Sequence, residues 1–132
     1  MAGELILIIE DNEKNRKLMR EVLRVKGYQT LETETAEEGI RVAQESLPAL
    51  ILMDLQLPGM DGIAALASLR AVSKTKEIPV VAVTASAMSH QRLKILAAGF
   101  DGYKTKPINV KEFLQVVREV LDRPRTGSPP SG

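Results

Sequence analysis

Short, continuously apolar runs alternate with amphipathic stretches along this chain, and that alternation narrows the fold more than any single residue does. Leu5-Ile6-Leu7-Ile8-Ile9, Ala49-Leu50-Ile51-Leu52-Met53 and Val80-Val81-Ala82-Val83 contain no polar side chain. A strand that is apolar on both faces has to be covered on both faces, which is what helical crossovers do for a parallel sheet. Between these runs the apolar residues recur at helical spacing. A helix is predicted over about 13–26, with Leu18, Met19, Val22 and Leu23 on one face and Gly27 as its stop. A second opens at the capping box Thr35 and Glu38 and turns Ile40 and Ala43 inward.

Further helices are predicted over about 62–72 and about 87–98, the latter stopping at Gly99. The last begins after Asn109 and buries Phe113, Leu114, Val117, Val120 and Leu121. Two weaker strands complete the pattern. One is the half-polar run 28–32, which reads as an edge strand, and the other lies at about 101–105. The third strand is read over 49–53, and the fourth over 78–83 with Pro79 near its start, where a missing donor is tolerable. Five βα units with the first strand central make an α/β, doubly wound, three-layer sandwich. Its parallel five-stranded sheet has the order 2-1-3-4-5 and is flavodoxin-like.

A length of 132 residues suits one domain with one core, read here as residues 1–122. Residues 123–132, Arg-Pro-Arg-Thr-Gly-Ser-Pro-Pro-Ser-Gly, offer nothing apolar to dock and read as a disordered tail. A net charge of +1 provides no field for recruiting nucleic acid or an anionic membrane. The absence of cysteine excludes disulfides and thiolate chemistry. The first apolar run is too short for a signal peptide or a membrane span, so a cytoplasmic protein is expected.

The strand ends carry the chemistry. Glu10 and Asp11 follow the first strand, Asp54 the third, Thr84 the fourth, and Lys106 the fifth. Ligands bind at that edge of an open parallel sheet. A carboxylate placed straight after a dry strand is costly, so three of them imply a hard cation, a reactive carboxylate, or both. Each residue also has a plainer reading. Asp11 and Asn12 are good helix N-caps, Asp54 could cap a loop, Lys106 could be a solvated lysine, and Tyr103 a half-buried strand tyrosine.

Taken in order, these residues resemble the receiver domain of two-component response regulators, of the single-domain chemotaxis and cell-cycle type, over about residues 4–122. The matching pieces are Glu10-Asp11, the segment Met53 to Gly62, Thr84 followed by Ala85, and Tyr103 three residues before Lys106-Pro107. The resemblance implies that Asp54 takes a phosphoryl group from a phosphohistidine, giving an aspartyl phosphate. It implies Mg²⁺ (or Mn²⁺) held by Asp11, Asp54 and the backbone carbonyl of Gln56, with Glu10 acting through water. Lys106 would answer the phosphoryl charge, before a cis Lys106–Pro107 peptide. Thr84 and Tyr103 would form a switch that alters the face of helix 4, strand 5 and helix 5.

Such a protein is a signalling phosphoacceptor rather than an enzyme acting on other substrates. Its implied partners are a sensor histidine kinase or histidine phosphotransfer protein and a downstream signalling protein, and it would be a monomer or a weak phosphorylation-dependent dimer. Gln56 and Ser86 occupy positions that tune access of hydrolytic water in that family. Pro58 and Gly59 to Gly62 shape a turn, Met88 and Phe100 read as packing residues, and His90 as a surface residue. Lys104, Lys111 and Arg118 read as solvated charge. An aspartate-nucleophile phosphatase would want a second acid two residues after the nucleophile, where Gln56 stands. A pseudo-receiver would have lost part of the acid–lysine set. A receiver cut from a larger multidomain regulator is the remaining alternative.

Overall fold

The computed structural model describes residues 3–57, 61–85 and 89–123, except for the side chains of residues 89–92. The expectations for Pro58, Gly59, Ser86, Met88, the His90 side chain and the tail from Pro124 onward therefore lie outside the described residues. In chain order the elements are β1 (Leu5–Ile9), α1 (Glu13–Val25), β2 (Gln29–Thr33), α2 (Ala36–Ser46), β3 (Leu50–Asp54), α3 (Gly62–Arg70), β4 (Val80–Thr84), α4 (Ser89–Ala97), β5 (Gly102–Thr105) and α5 (Val110–Asp122). All neighbouring strands pair in parallel, in the order β2-β1-β3-β4-β5. That is the doubly wound arrangement expected from the sequence.

The two-residue period of the strands divides the core cleanly. Leu7, Ile9, Ile51, Met53, Val80 and Ala82 face α2, α3 and α4, while Ile6, Ile8, Leu50, Leu52, Val81 and Val83 face α1 and α5. Both sets are buried, so the apolar runs have no solvated face. α2 packs tightly on the sheet at Gly39, where an added Cβ would overlap the Ile9 side chain and stand 3.1 Å from Thr33 Oγ1.

Helix ends follow the sequence signals. Asn12, Thr35, Asp61 and Asn109 each accept a backbone N–H from the first turn of the helix they precede. Some details differ from the sequence reading. β2 begins one residue later than expected, and Tyr28 packs in the core instead, its hydroxyl accepting from Arg118 Nη1 at 3.1 Å. Leu18 is exposed, because Met19 and Leu23, four residues apart, set the buried stripe of α1 and Leu18 falls at its margin. Leu114 and Leu121 are only partly buried at the flanks of the Phe113–Val117–Val120 stripe. α3 stops at Arg70, and the turns that follow are pinned by the buried Thr75 hydroxyl, which donates to Leu69 O at 2.6 Å.

At the edge where the strands begin, Arg118 gathers several partners. Its Nη2 lies 3.1 Å from Glu4 Oε2 and 2.9 Å from Asp122 Oδ1, while Nη1 holds Tyr28. It is therefore not the solvated charge expected from the sequence. Lys104, also expected to be solvated, pairs with Glu112 at 3.0 Å across the β5–α5 junction.

Candidate functional site

The other edge of the sheet, where the strands end, collects the acids. β1 runs one residue past its ladder: Glu10 N–H donates to Thr33 O at 3.0 Å, and the side chain points inward with no exposure. Asp11 follows and is exposed. β3 includes Asp54 as its last residue, and that residue is 2% exposed. One carboxylate oxygen from each of Glu10, Asp11 and Asp54 lies within 4.8 Å of the other two. β4 ends in the buried Thr84, whose carbonyl accepts from Lys106 N–H at 2.8 Å. The Lys106–Pro107 peptide is cis.

Lys106 reaches back across the strand ends. Its Nζ stands 3.2 Å from Asp54 Oδ2 and 3.2 Å from Glu10 Oε1. The sequence reading gives Lys106 its contact with an arriving phosphoryl group and names no resting partner; here the ammonium bridges two buried carboxylates. Burial works against the charged lysine, but Glu10 and Asp54 outweigh that and raise its pKa.

Asp54 Oδ1 accepts from Gln56 N–H at 2.9 Å. The sequence reading gives Gln56 a ligating carbonyl and a place that tunes access of hydrolytic water, and the amide contact escapes it because any residue type supplies one. Tyr103 is partly buried and packs on the α2–α3–α4 side of β5. A cleft of about 340 Å³ beside Thr84 is bordered by Gln56, Asp61 and Lys94. At its border α3 starts on glycine, where a Cβ would overlap the Leu55 side chain.

The electrostatics ask for a cation. Three carboxylates face one ammonium. Glu10 feels this most: burial, followed by the charge of Asp54, pushes its pKa up to about 6. Its Oε2 accepts from Asn12 N–H at 3.1 Å, whereas Oε1 is buried and accepts no hydrogen bond, despite lying 3.2 Å from Lys106 Nζ. A buried carboxylate oxygen that accepts no hydrogen bond, beside two further carboxylates, fits a small, hard divalent ion, which takes oxygen ligands and retains waters.

A pH dependence follows. Native Glu10 keeps its proton to about pH 6, whereas an unfolded glutamate releases it near 4.5. The native state therefore binds the extra proton between those values, and the Glu10 contribution to stability falls as pH rises through that window. In chelator, Glu10→Gln should gain on wild type by on the order of 1–2 kcal/mol between pH 4.5 and 6.5, read by urea unfolding. A gap between the two proteins that does not change with pH would refute the assignment. Divalent-ion affinity of wild type should fall below about pH 6, because the ion takes the ionised form.

Comparison with known proteins agrees with this fold. Residues 6–118 match the sequence model of the response regulator receiver domain, and the chain belongs to that family. It is 39% identical over 116 residues to the polar-differentiation response regulator DivK of Brucella ovis, covering 88% of this chain and 94% of that one. Among solved structures, the receiver domain of sensor histidine kinase PA1611 from Pseudomonas aeruginosa superposes with a TM-score of 0.84 at 31% identity. That match covers 92% of this chain and 100% of that one, and the structure has a magnesium ion coordinated in its active-site cleft. The chemotaxis response regulator CheY4 of Vibrio cholerae shares the fold, with a TM-score of 0.84 at 23% identity over 90% of this chain and 99% of that one. No helix among the described residues is long and apolar enough to cross a membrane.

Proposed function

We propose that this receiver domain accepts a phosphoryl group on Asp54 from a phosphohistidine, and that the resulting aspartyl phosphate changes the surface made by α4, β5 and α5. The observation that carries the reading is the bridge from Lys106 to Asp54 and Glu10, in which the buried Glu10 Oε1 meets the ammonium but accepts no hydrogen bond. Asp54 attacks phosphorus with one carboxylate oxygen as the phosphorus–nitrogen bond to the donor histidine breaks, and the histidine leaves with the electron pair. Asp54 is oriented for this by the Gln56 amide on Oδ1, which leaves Oδ2 facing the Lys106 ammonium. Asp11 and Asp54 would hold Mg²⁺ (or Mn²⁺) directly, with the Gln56 carbonyl, and Glu10 would act directly or through water. When bound, that ion supplies charge neutralisation between carboxylate and phosphoryl oxygens.

Lys106 follows the charge as it moves onto the phosphoryl oxygens, releasing its grip on the carboxylates. The Thr84 hydroxyl bonds a phosphoryl oxygen, and the space it leaves admits the Tyr103 ring. Full inversion of such a two-state element takes about 5.5 kcal/mol of differential stabilisation, within reach of a few charge-assisted bonds to a dianion. The donor is a sensor histidine kinase or a phosphotransfer protein, the receptor of the signal is a second protein, and the setting is the cytoplasm. The receiver unit spans 1–122. Gln56 stands where an aspartate-nucleophile phosphatase would carry its second acid, so that reading is not favoured.

The test is to incubate the protein with a small phosphodonor, with Mg²⁺ and then with chelator. One adduct is expected with Mg²⁺ and none with chelator, read by intact mass. Amide shifts in the phosphorylated protein should centre on α4, β5 and α5. Shifts confined to α1 and α2 would refute the output face.

A further inference from the structure

Arg16, in the second turn of α1, is 14% exposed, and its guanidinium nitrogens go to three different places. Nη1 donates to the Glu10 carbonyl at 2.9 Å, Nε lies 3.3 Å from Glu32 Oε1, and Nη2 lies 3.7 Å from Glu34 Oε2. One turn on, Arg20 Nη1 holds both oxygens of Glu32 at 2.9 Å. The Glu10 carbonyl belongs to the peptide that joins Glu10 to Asp11. That peptide lies just beyond the end of β1, where the ladder to β3 has ended at Ile9 and Met53. This plane joins the two acids whose carboxylates converge with that of Asp54.

We propose that Arg16 is a positioning residue for the cation site. By fixing the Glu10–Asp11 peptide from α1, it holds the two acids at the separation a divalent ion needs. The proposal rests on the reading that this cluster loads such an ion. Residues that orient ligands without touching the metal change metal affinity about ten- to hundredfold when removed. Arginine suits the task because its planar fork reaches the carbonyl and two carboxylates at once, which a lysine cannot do. A bare guanidinium so close would repel the ion, and Glu32 and Glu34 offset that charge. Position and charge therefore predict opposite signs. If Arg16 acts only as a nearby positive charge, removing it raises Mg²⁺ affinity; if it positions the peptide, removing it lowers the affinity.

The experiment compares Arg16→Met, Arg16→Lys and Arg20→Met with wild type. Arg20→Met also removes one positive charge and one α1–β2 tie, but leaves the Glu10 carbonyl held. Mg²⁺ affinity is measured by calorimetry, and the Asp11 amide resonance is followed before any Mg²⁺ is added. Arg16→Met is expected to bind Mg²⁺ at least tenfold more weakly, with the Asp11 amide already displaced. Arg20→Met should stay within twofold with that amide in place, and Arg16→Lys should fall between. Affinity within twofold of wild type for Arg16→Met, or equal losses in both methionine variants, would overturn the proposal. Should Arg16→Met not fold, Arg16→Lys decides: a wild-type affinity and an unmoved Asp11 amide would overturn it. A wild-type protein that takes up neither Mg²⁺ nor a phosphoryl group would instead bring down the receiver reading itself.

Discussion

Lys106→Ala should cost about 3–5 kcal/mol of stability in metal-free buffer near neutral pH, and addition of Mg²⁺ should return most of it. The ammonium is the counter-ion of two side chains, Glu10 and Asp54, that are 0% and 3% exposed. Removing one partner of a buried ion pair leaves uncompensated charge in a dry setting, which accounts for the size of the loss. The variant softens it by keeping the Glu10 proton to higher pH. A divalent ion supplies the missing charge and no longer competes with the lysine, so Mg²⁺ affinity should hold or rise. Melting curves in chelator and in saturating Mg²⁺, for both proteins, decide the matter. An equal deficit under the two conditions would mean that Lys106 serves packing rather than charge balance. Phosphorylated Lys106→Ala should also lose most of the change seen at Tyr103.

Asp54→Asn should abolish the adduct completely while making the metal-free protein more stable. Asparagine keeps an oxygen for the Gln56 amide, a contact made at 2.9 Å in the wild type. It removes one of two buried carboxylates that repel each other, so the Glu10 pKa returns toward its ordinary value. The expected gain is about 1 kcal/mol, the free energy of roughly one unit of pKa. Intact mass after treatment with a small phosphodonor reads the first effect, and urea unfolding in chelator reads the second. An adduct of wild-type yield in Asp54→Asn would exclude it as the acceptor. Decreased stability would show that Lys106 compensates the wild-type pair more fully than the raised Glu10 pKa indicates.

The fold was legible because its strongest signal is also its strongest constraint. Runs such as Leu5 to Ile9 can be buried only between two helical layers, and Asn12, Thr35 and Asn109 mark where helices must begin. The acids were legible for a related reason: a charge after a dry strand costs too much to lack a purpose. What escaped was relational. Whether Leu18 or Met19 lies inward turns on one step around α1, and a sequence pattern does not resolve 100° of helical phase. The resting contact of Lys106 depends on a side chain crossing β4 and β3 to reach β1, and nothing local encodes it. Arg16 reads as an ordinary helix cation until its partners, 6, 16 and 18 residues away in the chain, are seen together.

The knot around Arg118 gives α5 a heel and a toe. The heel, near Asp122, is moored to the starts of β1 and β2 through Glu4 and Tyr28. The toe, at Val110 to Glu112, faces β5 through the pair Lys104–Glu112 and leads straight into the fully buried Phe113. A rod of thirteen residues is about 20 Å long, so its two moorings stand well apart. A change begun at the strand ends would meet the toe first, and the knot at the heel would resist its spread.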